Sequence, residues 1–201
     1  FKKDGRLYYN PAITKKRVDT LKLLIEQATD RVAKFWGQRM GNPKFIYCNN
    51  SSDFEKYSNT PTAPAVTHLK LGSYIVLSNE AVDLDIIAHE ISHAAFYERI
   101  GFYRWTFSVP PWFKHGLAMQ NDYRGYYSED TLKVISNNFT NLPDIKSFTK
   151  DGQFYAGTRE QVMLNYMTAK HEFKNWYTKE KLDKLIKDLN SGTSFEDALA
   201  Q

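Results

Sequence analysis

Three residues at a fixed spacing could do chemistry in this chain: His89, Glu90 and His93, in the order H-E-x-x-H. They lie in the segment Asp83 to Arg99, where Ile86, Ile87, Ala88, Ile91, Ala94, Ala95 and Phe96 make a wide apolar face with no Gly or Pro. That pattern predicts a helix. Residues four apart share a helix face, so the two imidazoles can aim at one point. Such a pair suits Zn²⁺, which takes neutral imidazole nitrogens at about 2.0–2.1 Å. Glu90 is offset around the helix from His89. It can reach a metal-activated water as a general base without taking a ligand position. The rival reading is two histidines placed for packing or solvation, and the chance rarity of the pattern on a predicted helix weighs against it.

Two histidines leave a catalytic zinc short, since it usually has three protein ligands and an open fourth position. Glu98, five residues past His93, points about 140° away around the helix and reads as a solvated carboxylate. His68 lies in an alternating stretch, on one face with Lys70 and opposite Leu69 and Leu71, and is expected to face solvent. His171 sits in a Lys-rich polar segment and also reads as surface. His115 differs, because it follows Pro110-Pro111-Trp112-Phe113-Lys114 and precedes Gly116-Leu117-Ala118. Prolines there open a helix. Trp112, Phe113, Leu117 and Ala118 give it an apolar face, and Gly116 and Ala118 would let it pack closely on another helix.

The two segments together, His89 to His93 and then Pro111 to Ala118, resemble the gluzincin zinc metallopeptidases, specifically their peptidase MA-like domains. In that family a second helix reads roughly P-x-W-hydrophobic-x-E-G-L-A, and its glutamate is the third zinc ligand. By position that role falls on His115, so an imidazole stands where the family has a carboxylate. Three-histidine zinc sites that activate water are known chemistry. The resemblance also implies a donor to the oxyanion from the start of a helix after the second motif, where Tyr155 stands in Asp151 to Gly157. Tyr123, Tyr126 and Tyr127 compete for that role, and a tyrosine packed between helices explains Tyr155 as well. The specific resemblance is confined to Ala88–Ala94 and Pro111–Ala118. In outline it extends over most of the chain.

The elements that must position these groups come from a chain of 201 residues, enough for one domain with a sizeable core in two lobes. Formal charge is +4 with acids and bases interspersed, which lacks the clustered basic stripe of a nucleic-acid binder. No apolar run approaches the roughly 20 residues of a membrane span. The chain begins at Phe1 without a signal peptide. An upstream signal or anchor, removed in maturation, fits a secreted or extracytoplasmic location and leaves the compartment open. The lone Cys48, in Phe45-Ile46-Tyr47-Cys48, reads as a buried inert thiol.

In order, Arg6 to Tyr9 predicts a strand and Thr14 to Trp36 an amphipathic helix closed by Gly37. Lys44 to Asn49 predicts a strand, Ser51 to Glu55 the opening of a short capped helix, and Asn59 to Pro64 a loop. Val66–Lys70 and Tyr74–Ser78 predict a hairpin across Gly72-Ser73. The family resemblance implies that such a strand is a sheet edge beside the motif helix, where an extended peptide could add as a further strand. A purely structural edge strand is as good an account. After the second motif come an aromatic turn at Tyr123 to Tyr127, a helix over Asp130–Phe139 and a turn at Lys150 to Gly152. A helix over Thr158–Lys170 follows, with Val162, Met163, Tyr166 and Met167 inward. An amphipathic helix over Thr178–Leu189 and a last short helix from Thr193 end the chain.

These readings add up to an α+β chain: a small mixed or antiparallel sheet packed on the motif helix, then a helical C-terminal lobe, zincin-like in outline. Roughly residues 1–98 form the first lobe and 99–201 the second, in a single metallopeptidase-like domain. The expected activity is zinc-dependent hydrolysis of peptide bonds, with one Zn²⁺ on His89, His93 and His115, Glu90 as base and Tyr155 as auxiliary donor. The expected partner is a peptide or protein substrate. Two rivals stand beside it: an inactive peptide-binding relative, for which the changed third ligand speaks, and a zinc site that only stabilises the fold.

Overall fold

The computed structural model describes residues 1–40, 42–59, 63–69 and 72–200. It is α+β and divides into two units, Phe1–Glu98 and Arg99–Gln201.

Among the described residues of the first unit five strands form: β1 (Lys2–Asp4), which is wholly charged, and the more apolar β2 (Leu7–Tyr9), β3 (Lys44–Tyr47), β4 (Ala65–His68) and β5 (Tyr74–Leu77). Their order in the sheet is β1-β2-β3-β5-β4. The central strands β2, β3 and β5 run parallel, while β1 and β4 pair antiparallel at the two edges. Alternation sorts the side chains. Phe45, Tyr47, Ile75 and Leu77 are fully buried on one face. Ile46, Val66 and Val76 lie on the other, packed with Cys48 and Phe54 of α2 (Ser51–Ser58). Cys48 is therefore the buried thiol expected, and desolvation, with Asp53 nearby, pushes its pKa up to about 12. The capping residue of α2 is Asn50, whose side chain accepts from the Asp53 amide at 2.8 Å.

Helix α1 (Lys15–Trp36) has the predicted boundaries, with Thr14 accepting from the Arg17 amide and Gly37 left-handed at φ 76°. Val18, Leu21, Ile25, Ala28 and Val32 recur at helical spacing and are buried. Trp36 stacks on Phe96 of α3 (Leu84–Phe107), ring centroids 6.4 Å apart. Asp83 starts α3 by accepting from the amides of Asp85 and Ile86. This helix runs well past the predicted end at Arg99 and is interrupted at Gly101, whose φ of 77° and ψ of 170° are not helical.

Strand β1 was not anticipated, and two other expectations in this unit change. His68 is half-buried, with a buried Nε2 that has no hydrogen-bond partner among the described residues, rather than solvated. Its alternate position puts it on the same face as Val66, towards the Cys48 cluster. The hairpin forms over Ala65–His68 and Tyr74–Leu77, but Lys70 and Leu71 lie outside the described residues. So do Thr60, Pro61 and Thr62 of the predicted loop.

The second unit is helical. Pro111 occupies the first turn of α4 (Pro111–Ala118), where no intrahelical amide is needed. There follow α5 (Glu129–Ile135), α6 (Asp151–Phe154), α7 (Arg159–Trp176), α8 (Lys179–Asn190) and α9 (Phe195–Leu199). Phe113 of α4 is the hub of the core, with Phe173, Trp176 and Phe195 each 5.1–5.2 Å away in edge-to-face contact. Leu182, Leu185, Ile186 and Leu189 bury the inner stripe of α8, as predicted. Among the described residues no helix is long and apolar enough to cross a membrane.

Three local readings change here. Helix α5 stops at Ile135 because Asn137, Asn138 and Phe139 all take left-handed backbone, φ 52°, 53° and 64°. Asparagine tolerates that region and phenylalanine does not, so the strain at Phe139 is held by its ring, stacked on His171 at 4.7 Å. The predicted turn at Lys150 to Gly152 is instead the start of α6, with Gln153 accepting from the Lys150 amide. Helix α7 continues six residues beyond Lys170, to Trp176.

Close packing of α4 on α7 depends on Gly116. A Cβ built there would lie 2.5 Å from the Ala169 carbonyl oxygen and 2.8 Å from Phe173 Cβ. Neither atom can yield without moving α7. Gly116→Ala is expected to destabilise the protein by about 1–3 kcal/mol, read from the denaturant midpoint. An unchanged midpoint would mean that the two helices are not in this register.

Candidate functional site

In the first unit, His89 and His93 stand one turn apart on α3, both buried. Their Nε2 atoms are 3.2 Å apart and their rings are nearly perpendicular. Two nitrogens bound to one tetrahedral ion at about 2.0–2.1 Å each are necessarily about 3.3 Å apart. The pair therefore fits two corners of a zinc coordination shell, and neutral imidazole is the donor such an ion takes.

Glu90 lies beside them, and Thr67 of the edge strand β4 holds its side chain. The Thr67 hydroxyl donates to Glu90 Oε2 and lies 3.3 Å from the Glu90 backbone carbonyl oxygen. Because Thr67 is paired with Ile75 and shares its face, that face of β4 is the one turned to α3. The carboxylate of the residue that follows His89 is thus held in place from the sheet edge. Glu98 is exposed, as its angular position predicted.

In the second unit, His115 is buried on α4 in an aromatic enclosure. Phe154 stacks on its ring at 4.7 Å, and Tyr166 meets it edge-on at 5.0 Å. The Tyr155 hydroxyl lies 2.8 Å from His115 Nε2, with either group as donor according to the imidazole tautomer. Tyr166 extends the line, donating to the Tyr155 hydroxyl at 3.4 Å. Tyr155 follows the last residue of α6 and is itself 46 % exposed. Among the tyrosines that competed with it, Tyr123 and Tyr126 are exposed, while Tyr127 contacts Tyr166 at 6.2 Å.

His89 and His93 are thus together on α3, and His115 and Tyr155 are together beside α4. Each of the three histidines is buried, two in the first unit and one in the second. His171 is drawn in as well, although the sequence placed it on the surface. It lies under Phe139, near Glu129 and bonded to Asn175.

Three contributors escaped the sequence reading. Thr67 could be found only by knowing which strand edge meets α3. Tyr166 had been assigned to the inner face of α7, with no reason to single it out. Phe154 had no signal beyond its apolarity. Comparison with models of known protein families, and with curated proteins, finds no match to this chain.

Proposed function

We propose that the protein is a zinc-dependent peptidase, with one Zn²⁺ held by His89, His93 and His115. The observation that carries this reading is the 3.2 Å spacing of the two Nε2 atoms, with Glu90 beside them and tethered by Thr67. The resemblance of Ala88–Ala94 and Pro111–Ala118 to the gluzincins supports it. Zinc bound there supplies Lewis acidity, which makes water a better nucleophile and polarises a peptide carbonyl. Glu90 takes the proton from the attacking water and delivers it to the departing amine. Strand β4 lies at the sheet edge, and an extended peptide added to it as a further strand, as the resemblance implies, would run alongside the residue that holds Glu90. The Tyr155 hydroxyl donates to the oxygen on which negative charge develops.

The test is hydrolysis of a mixed peptide library by the purified protein. Stripping the metal with a chelator should abolish cleavage, and one equivalent of zinc should restore it. A zinc-loaded protein that binds peptides and cleaves none would return the chain to the binding-module reading.

Tyr155 makes a separate prediction. Tyr155→Phe should lower kcat by about 10²-fold, with little change in KM or zinc content, because the lost bond matters chiefly in the transition state. Unchanged kcat would assign Tyr155 to packing around His115.

A further inference from the structure

The second unit holds a cavity of about 260 Å³ against α7, the helix whose Tyr166 meets the His115 ring. Its floor is Leu132 and Met167, both essentially inaccessible to solvent. Tyr123 and Tyr127 form its walls, and Lys170 and Lys174 stand at its rim. Two ring contacts lead from it to the candidate site: Tyr127 to Tyr166 at 6.2 Å, and Tyr166 to His115 at 5.0 Å. The volume is below that of pockets for drug-sized ligands, and it suits one large side chain. The walls are fixed. Tyr127 packs on the Arg124 guanidinium, which is paired with the fully buried Asp122 carboxylate, and Lys170 donates to the Asp122 carbonyl. The two lysines face a single lining carboxylate, Glu129, which pairs with Lys174 and has its own pKa lowered by that bond.

We infer that this cavity is a specificity subsite: it takes one large apolar or aromatic side chain of the peptide substrate and favours an acidic residue next to it. The inference rests on the peptidase reading for the word substrate and on the cavity alone for the binding preference. Burying such a side chain against an apolar floor is worth about tenfold or more in affinity. The excess of positive charge at the rim selects the neighbour.

The test uses octa-alanine peptides carrying one Phe, moved through the eight positions, each with and without an adjacent Asp. Two readouts are taken: kcat/KM with the zinc-loaded wild type, and calorimetric affinity with Glu90→Gln, which needs no turnover. One Phe position should raise both by about tenfold, and an adjacent Asp should raise them further. Tyr123→Ala, at an exposed wall, should remove most of the Phe preference, and Lys174→Glu, at an exposed rim, should reverse the Asp preference. Circular dichroism and zinc content should be unchanged in both. Preferences that survive both substitutions would overturn the subsite. So would phenylacetate occupying the cavity as tightly as the best peptide, which would make it a small-molecule site. Cavity-dependent binding without hydrolysis would leave the subsite standing and remove the peptidase reading. Hydrolysis indifferent to the cavity would do the converse, and neither binding nor hydrolysis would overturn both.

Discussion

Glu90→Gln is expected to leave the protein folded and loaded with one zinc, while peptide hydrolysis should fall by about 10²–10⁴-fold. The reason is geometric as much as chemical. An amide has the shape of the carboxylate and can still bond the Thr67 hydroxyl, so the side chain stays where β4 holds it. What it would lose, on the proposed mechanism, is the basicity that moves a proton from water to the leaving amine. Zinc should be measured by mass spectrometry of the native protein, and turnover under single-turnover conditions with the most rapidly cleaved peptide. Loss of zinc together with activity would make Glu90 a ligand, and the division of labour between it and the two histidines would be wrong.

His115→Ala is expected to weaken zinc binding by more than about 10²-fold, the upper end of what loss of a mere supporting partner costs. His115→Glu should keep a substantial part of the affinity, because a carboxylate oxygen supplies one ligand atom as an imidazole nitrogen does. Competition with a chromophoric chelator reads both values. The pair of variants separates liganding from packing. His115 is enclosed by Phe154, Tyr155 and Tyr166, so alanine alone could act by loosening that enclosure. Glutamate does not restore an aromatic stack, so recovery of zinc affinity with glutamate identifies coordination. Equal affinity in wild type and His115→Ala would place the third ligand elsewhere.

Much of the helical framework was legible because its determinants are local. Thr14 and Gly37 bracket α1, and Thr158 and Thr178 cap α7 and α8. The apolar stripes between them repeat every three or four residues. The facing of His89 and His93 was legible for the same reason, since a spacing of four on a helix is enough to converge two rings. The sheet was legible only in pieces. Nothing in Lys2–Asp4 announces a strand, because that edge is made by pairing with β2. That β3 lies between β2 and β5, parallel to both, is a non-local outcome of how the connecting helices pack.

The surface assignments of His68 and His171 failed in one way. Polar neighbours in sequence said nothing about neighbours in space: a cluster under the sheet for one, the Phe139 ring for the other. Phe139 itself could not be foreseen, because a left-handed phenylalanine is unfavourable locally and is held by a tertiary contact. Thr67 was hidden for a related reason. Its role comes from the face of β4 that meets α3, and alternation alone gives two faces without saying which one the helix covers.

The most direct measurement is a crystal structure of the zinc-loaded protein with data collected on both sides of the zinc absorption edge. A single anomalous peak is expected about 2.0–2.1 Å from the Nε2 atoms of His89 and His93 and from one ring nitrogen of His115, with no fourth protein ligand. A peak elsewhere, a fourth protein ligand closing the shell, or His115 turned away while another side chain binds would contradict the account.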